Sequence, residues 1–500
     1  MGGCDRIFPY ADSPGTYPAL KEGQESEVYE KEGEGKDCME IDCNWWHKPY
    51  LPVYNEEKRN APYICRLAPN ETGFEAEWFD LGSEEQHMLY WQHISWTDWK
   101  GMPVSSNLVK VGGLKKNEDY RFFIESKEGR KSHVRLVRTG MVPGVVVNYI
   151  HPRETQYIYS GAHTCSPSLL KLPDGVLLAS HDVYQKDGGQ NLTILYRSYD
   201  GGAHWHFVTE LFPCCWGSLF WHDGKVYCFG VSTEYGDLLL GCSHDEGETW
   251  TGPIVLGYGA CCGSQNGFQK APFPVITHGE RLWTMVEFGS WSTGEFCYLI
   301  FSAAIDSNLM CPKSWIATEP LKMNYREWGC NEISDKLSLG YDPLPIEGNL
   351  VVTPEGSMKA ILRFTNNYAV LLGMDFQEPE RALWFENLIS FPMAHSKFEI
   401  RKNEEGRYIA LGNSLPRRNI LSMYSSDDLR HWEWEKNILD FSGEDYDGVY
   451  TGVQYPSFFM ERNEVSILIR AALNRADNFH DANYLLFCRT KRGRSEDERP

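Results

Sequence analysis

Along most of this chain apolar and polar residues alternate in runs of four to eight, and helical spacing is almost absent. Between residues 61 and 145 the runs Tyr63-Ile-Cys-Arg-Leu, Phe74-Glu-Ala-Glu-Trp-Phe, His87-Met-Leu-Tyr-Trp, Asn107-Leu-Val-Lys-Val, Tyr120-Arg-Phe-Phe-Ile and Val134-Arg-Leu-Val predict six short strands at the spacing of a small β-sandwich. From about residue 150 the pattern repeats. Leu169-Leu-Lys-Leu-Pro-Asp-Gly-Val-Leu-Leu reads as a hairpin around Asp174-Gly175, and similar hairpins begin at Phe220, Ile276 and Val352. An apolar strand at each of Leu195, Leu239, Leu299, Val370, Leu421 and Leu485 is expected to close a unit. Six units of four strands predict an all-β chain whose residues 150–490 form a six-bladed β-propeller.

A second periodicity marks the turns. Ser198-Tyr-Asp200-Gly-Gly202-Ala-His-Trp205 recurs as Ser243-His-Asp245-Glu-Gly247-Glu-Thr-Trp250, and more weakly as Ser425-Ser-Asp427-Asp-Leu429-Arg-His-Trp432. In such a turn Asp accepts bonds from nearby amides, Gly takes positive φ and Trp folds back over the hairpin. These residues are turn staples, useful for counting repeats. Residues 1–60, punctuated by Pro and Gly with an acidic stretch from Glu22 to Asp42, form an N-terminal extension; Trp45-Trp46 and Tyr50-Leu51 could dock it onto a later domain.

Composition narrows the partners. A net charge of −21 and a pI of about 5.2 disfavour nucleic acid and anionic membrane, so an acidic ligand would need a local cluster of Arg. The 15 Cys are odd in number, and Cys214-Cys215 and Cys261-Cys262 are adjacent, which points to buried thiols. No apolar signal core follows Met1, Met1-Gly2 is a poor myristoylation context, and no apolar run reaches 18 residues; a cytoplasmic chain with no membrane span is expected. No HExxH, CxxC or EF-hand spacing occurs, and neither a metal nor another cofactor is expected.

The S-x-D-x-G-x-x-W turns and six repeats resemble the Asp-boxes of the sialidase (neuraminidase) superfamily over roughly residues 150–490, and Leu114 followed by Tyr120 resembles the tyrosine corner of a fibronectin type III-like sandwich over 61–145. In sialidases a late blade carries a Glu, a hairpin and then an Arg, and Glu347 and Arg363 have that layout. The resemblance places the family's next Arg at Arg418 (or Arg417) and its Tyr at Tyr455, in Tyr455-Pro-Ser. It implies a Tyr nucleophile deprotonated by Glu and a sugar carboxylate gripped by Arg, which suits a reacting carbon whose own carboxylate would repel an anionic nucleophile. The first half departs from that pattern. Cys165-Ser-Pro-Ser168 stands where the family has its first Arg, and Gly188-Gly-Gln190-Asn191 where its acid/base Asp should lie. Asp187 is a poorly placed substitute, whereas His181 and Asp182 could supply the proton.

Other polar residues at strand ends suggest a central pocket for sugars: Glu234, Lys270, Arg470, His480 and Asp481 as substrate-binding groups, each also readable as a hydrogen-bonded structural residue. The expectation is a glycosidase acting on an acidic sugar, with specificity altered from true sialidases. Two alternatives stand beside it. One is a uronate-directed polysaccharide lyase using Arg363 and Arg418 on the carboxylate; the other is a non-catalytic glycan-binding propeller with a sandwich adaptor. All three take carbohydrate as the partner.

Overall fold

The structure is a computed structural model that describes residues 45–50, 52, 58, 60–80, 86–260, 265–332 and 343–493. Leu51, Cys261-Cys262 and the extension up to residue 44 lie outside the described residues.

The chain is nearly all antiparallel β-sheet. Two sheets pack first: Tyr63–Asn70, Gly73–Phe79 and Leu108–Val111 in one, and Lys100–Val104, His87–His93, Asp119–Ser126 and Arg135–Arg138 in the other. Alternating Phe74, Ala76 and Trp78 meet Phe122 and Ile124 from the facing sheet, burying both inner faces. At the corner, Lys115 N donates to Tyr120 Oη at 3.0 Å. The strand Lys100–Val104 has no counterpart among the six expected. Its sequence Lys-Gly-Met-Pro-Val lacks alternation, and an edge position tolerates both Gly and Pro.

Six sheets then follow one another in the manner of a β-propeller. The first comprises His163–Lys171, Leu177–Tyr184, Thr193–Ser198 and His206–Leu211; the second Cys215–His222, Lys225–Val231, Leu238–Ser243 and Thr251–Gly257. The third is built on Arg281–Ser290 and Glu295–Ala304. Its innermost strand is broken into Gly267–Gln269 and Ile276–His278, because Pro272 and Pro274 cannot donate to a ladder. The fourth runs from Ile346–Val352 to Trp384–Ser390 and the fifth from Glu399–Lys402 to Glu433–Asp440. The sixth takes Gly452–Glu461, Glu464–Ala472 and Tyr484–Lys491 from the end of the chain and completes itself with Val145–Tyr149 from before the first sheet. The expected division near residues 145–150 therefore falls on a strand of this last sheet. First strands are buried on both faces, as Ile346–Val352 shows, whereas the outermost Trp384–Ser390 alternates exposed and half-buried.

The six apolar strands expected to close each unit are the third strands of their sheets; in the first, second and fifth sheets the fourth follows the Ser-Asp turn. In the first two turns Ser198 and Ser243 accept from Gly202 N and Gly247 N, Asp200 and Asp245 cap the next amides, and Trp205 and Trp250 donate back to the Gly carbonyls. The third turn is one residue later than the sequence pattern suggests. Ser426 and Asp428, not Ser425 and Asp427, make the bonds, and Leu429, three residues after Ser426, takes a φ of 62°, as Gly201 and Glu246 are left-handed in the other two.

The sandwich and the sixth sheet share one apolar core, which includes Leu67, Phe122, Tyr149 and Ile469. Polar groups cross the same junction and also tie the sandwich to the first sheet and the connecting segment. Arg66 Nε donates to Val147 O at 2.9 Å, Arg135 Nε to Glu154 at 2.6 Å, and Tyr63 Oη bonds Glu210. The end of the extension docks on the first sheet: Trp46 and His47 pair with Leu211 and Glu210, and Trp45, fully buried, donates to Pro213 O. Nine described cysteines are thiols outside any disulfide, eight of them buried. Cys311 is disulfide-bonded, which corrects the expectation that all the cysteines are thiols.

Candidate active site

Four of the innermost strands carry the same irregularity. Register slips between Cys165 and Ser168, Cys215 and Ser218, Ile346 and Gly348, and Gln454 and Ser457. At each slip a non-glycine residue is left-handed: Ser166 at φ 47°, Trp216 at 53°, Glu347 at 59° and Tyr455 at 60°. Each such residue costs ~1–2 kcal/mol of backbone strain, repaid by packing around it. A bulge re-aims one side chain out of the sheet's alternation. Proline follows two of them, at Pro167 and Pro456, where the ladder needs no donor. The serines after those prolines bind the neighbouring sheet: Ser457 Oγ accepts Leu169 N and Ser168 Oγ accepts Leu219 N.

These bulges surround a cavity of about 290 Å³. One side is cationic. Arg363, Arg418 and Arg470 line it together with Glu347 and Tyr455. Tyr455 Oη donates to Glu347 Oε1 at 2.6 Å, and Arg363 Nε donates to Glu347 Oε2 at 2.5 Å. Arg418 Nη1 donates to the neutral Gln454 Oε1 at 2.9 Å. The Arg470 guanidinium lies 4.2 Å from the centre of the Tyr455 ring, and its Nη1 reaches Cys165 Sγ at 2.7 Å. Its Nε and Nη2 are buried with no hydrogen-bond partner among the described residues. The other side is aromatic, formed by Tyr184, Trp216, Tyr235 and Trp291 beside Gln190 and Glu234.

The fields in the cavity follow from this arrangement. Burial alone would raise the Glu347 pKa, but the Arg363 charge and the Tyr455 bond outweigh it and hold the carboxyl below its ordinary value. Burial, reinforced by the Glu347 anion, pushes Tyr455 up to about 12. Arg418 falls to about 10 because it is desolvated beside two other guanidiniums. Glu234 is raised, chiefly by burial and further by Asp187, against a 3.0 Å bond from Gln190. The site therefore holds an ionised carboxylate against a neutral phenol, a second carboxyl biased toward its protonated form, and more guanidinium charge than carboxylate.

Each residue singled out in the sequence has a definite place. Tyr455, Glu347, Arg363, Arg418, Arg470, Glu234, Lys270 and His480 all line this one cavity. Asp481 stands behind it, orienting His480 through a 2.9 Å bond to Nδ1. Lys270 Nζ donates to Ser218 Oγ at 2.6 Å, and burial lowers its pKa to about 8. Arg417 is not on the cavity.

His181 and Asp182 are not on it either, which corrects their assignment as proton donors. Adjacent residues of a strand face opposite ways. His181 is turned to Asn148, 3.0 Å away at the junction with the sandwich, and burial lowers its pKa to about 4. Asp182 accepts from Thr193 Oγ1 and Trp216 N behind the cavity wall, and burial raises it to about 7. It fastens the Trp216 bulge. Sequence reasoning missed the aromatic wall. Ser166-Pro-Ser and Tyr455-Pro-Ser signal two of the bulges, but none of these four aromatic residues carries such a mark.

Among the described residues no group of three or more His, Cys, Asp or Glu is placed to hold a metal ion, and no helix is long and apolar enough to cross a membrane.

An antiparallel all-β ring with a polar hub cavity is the architecture that these features define. No family model matches the sequence, and no curated protein does. Solved structures similar to the chain include a Hadza microbial sialidase, Hz136, at 12% identity over 86% of this chain and 94% of that one, with a TM-score of 0.47. The α-L-arabinofuranosidase Arb93A of Fusarium graminearum, in complex with an iminosugar inhibitor, is 12% identical over 66% of this chain and 93% of its own, with a TM-score of 0.44. A leech intramolecular trans-sialidase complexed with 2,7-anhydro-Neu5Ac is 10% identical over 87% and 92%, with a TM-score of 0.45.

Proposed function

We propose that the chain is a glycoside hydrolase of sialidase type that removes a terminal acidic sugar, on a six-bladed propeller spanning roughly residues 145–491 with a fibronectin type III-like sandwich before it. The observation that carries this is the 2.6 Å bond from Tyr455 Oη to Glu347 in a cavity where Arg418 and Arg470 form no ion pair among the described residues. Buried guanidinium N–H groups left unpaired, as at Arg470, are costly, and a ligand carboxylate would satisfy them while neutralising Arg418.

In the proposed reaction Arg418 and Arg470 bind the sugar carboxylate. Tyr455 Oη attacks the anomeric carbon as Glu347 takes its proton, and the glycosidic C–O bond breaks as Glu234 protonates the leaving oxygen. Water, deprotonated by Glu234, then displaces the tyrosyl oxygen, which recovers its proton from Glu347. A neutral phenol is favoured because a carboxylate nucleophile would meet the ligand's own anion. Arg470 enters from the last sheet and lies on Cys165, so it supplies from the opposite neighbour the charge missing at that position.

The test is trapping. A fluorinated acidic glycosyl fluoride should leave a covalent adduct that peptide mapping places on Tyr455. Turnover with the adduct on another residue, or with none, would overturn the assignment. A uronate lyase is the second reading, favoured by the same unbalanced guanidiniums. An unsaturated, ultraviolet-absorbing product in place of a hydrated one would identify it.

A further inference from the structure

A second depression, of about 910 Å³, opens where the sandwich meets the ring. Lys116, Asn117 and Arg138 of the sandwich form one wall, with Met141 of the connecting segment. The segment between the fifth and sixth sheets forms another through Tyr446 and Tyr450, and Asn474 and Arg475 complete it. Three large apolar side chains stand in solvent here: Met141 63% exposed, Tyr446 47% and Tyr450 48%. So much exposed aromatic surface around one concavity is characteristic of a binding site. Tyr446 is fixed by an edge-on contact with Phe441 at 4.9 Å, whereas the Tyr450 ring meets no other among the described residues. Asn474 and Arg475 are both left-handed, at φ 49° and 70°, and Asn474 is held by bonds to Met141 O and Tyr484 Oη. Backbone strain is thus sustained in order to present Arg475, which makes no ion pair among the described residues.

We propose that this groove is a carbohydrate site for an oligosaccharide, holding the part of a glycan remote from the sugar that enters the hub cavity. Two flat amphipathic rings beside a free guanidinium, an amide and the Asp447 carboxylate match the apolar faces and hydroxyls of pyranoses. The volume exceeds what a single sugar fills. Both sites are lined by one connection of the sixth sheet, which gives Asn474 and Arg475 to the groove and His480 to the cavity. Phe479 N bonds Val449 O, coupling that connection to the segment bearing Tyr446 and Tyr450. The choice of ligand rests on the glycosidase reading; the groove does not.

The experiment is binding of the full chain to a printed array of acidic and neutral oligosaccharides, with Arg418→Ala/Arg470→Ala and Tyr450→Ala variants run beside the wild type. The cavity variant should retain oligosaccharide binding, and Tyr450→Ala should weaken it about tenfold or more. If Tyr450→Ala binds as the wild type does, or if the cavity variant binds nothing, the groove is not a glycan site. Tyr446→Phe, which keeps the ring and its Phe441 contact, should bind normally, and loss there would also overturn the proposal. Array binding through Tyr450 without any turnover by the wild type would sink the hydrolase reading and leave the groove standing.

Discussion

Tyr455 depends on its backbone for its chemistry. A strand residue in regular alternation would face a neighbouring sheet, and only the slip between Gln454 and Ser457 brings the phenol to Glu347. Tyr455→Phe should lower kcat by about three orders of magnitude with an unchanged melting curve, since it deletes one oxygen from a group acting as nucleophile. The pH profile has two limbs of known sign. Glu347 must be ionised, and its depressed pKa puts the loss of activity at the acid end. Glu234 must carry a proton, and its raised pKa makes activity fall as pH rises through it. Glu234→Gln should cut kcat about a hundredfold for poor leaving groups and flatten the alkaline limb; a limb that survives in the variant belongs to another group. Glu347, Arg363, Arg418 and Tyr455 were legible because they follow one another in a recognisable order. Trp216 and Trp291 were not, because the aim of a residue at a bulge, or in the turn after a strand, depends on hydrogen-bond register. His181 and Asp182 were misread as a pair, although strand alternation alone forbids both from facing one cavity.

Between elements, the docking of the sandwich buries charges that the ring must accommodate. Glu210, on the fourth strand of the first sheet, lies against Tyr63 and is pushed up to about 8, mainly by burial. Its folded pKa lies above its unfolded one, so its contribution to stability is greatest below about pH 4 and falls as pH rises toward 8, at most by about 1.4 kcal/mol per pH unit. Glu210→Gln should therefore lessen the fall in Tm between pH 5 and pH 8, and a variant that tracks the wild type would show that Glu210 is not the group responsible. Six strands of the sandwich were visible as alternation, and the seventh was hidden by Gly101 and Pro103 on an edge. The third Ser-Asp turn was displaced by one residue because Ser425-Ser-Asp-Asp fits the pattern in two registers, and only the bonds to Ser426 and Asp428 choose between them.

For the molecule as a whole, one apolar core runs from Phe122 in the sandwich through Tyr149 to Ile469 in the last sheet. Sandwich and ring should unfold together, as one calorimetric transition, and two resolved transitions would show that the shared core does not couple them. The ring was legible from repeat counting, but its closure was not, because Val145–Tyr149 has no turn signature tying it to a partner so distant. Tyr149 pairs with Tyr484, about 335 residues later, which a ribosome adding about 10 residues per second reaches only after roughly half a minute. Throughout that interval the early strand has no ladder partner, and the finished sandwich beside it keeps bare the apolar seam that Ile469 and Tyr484 will cover. Nascent chains of this design therefore have reason to need a chaperone's shelter until Tyr484–Lys491 has emerged.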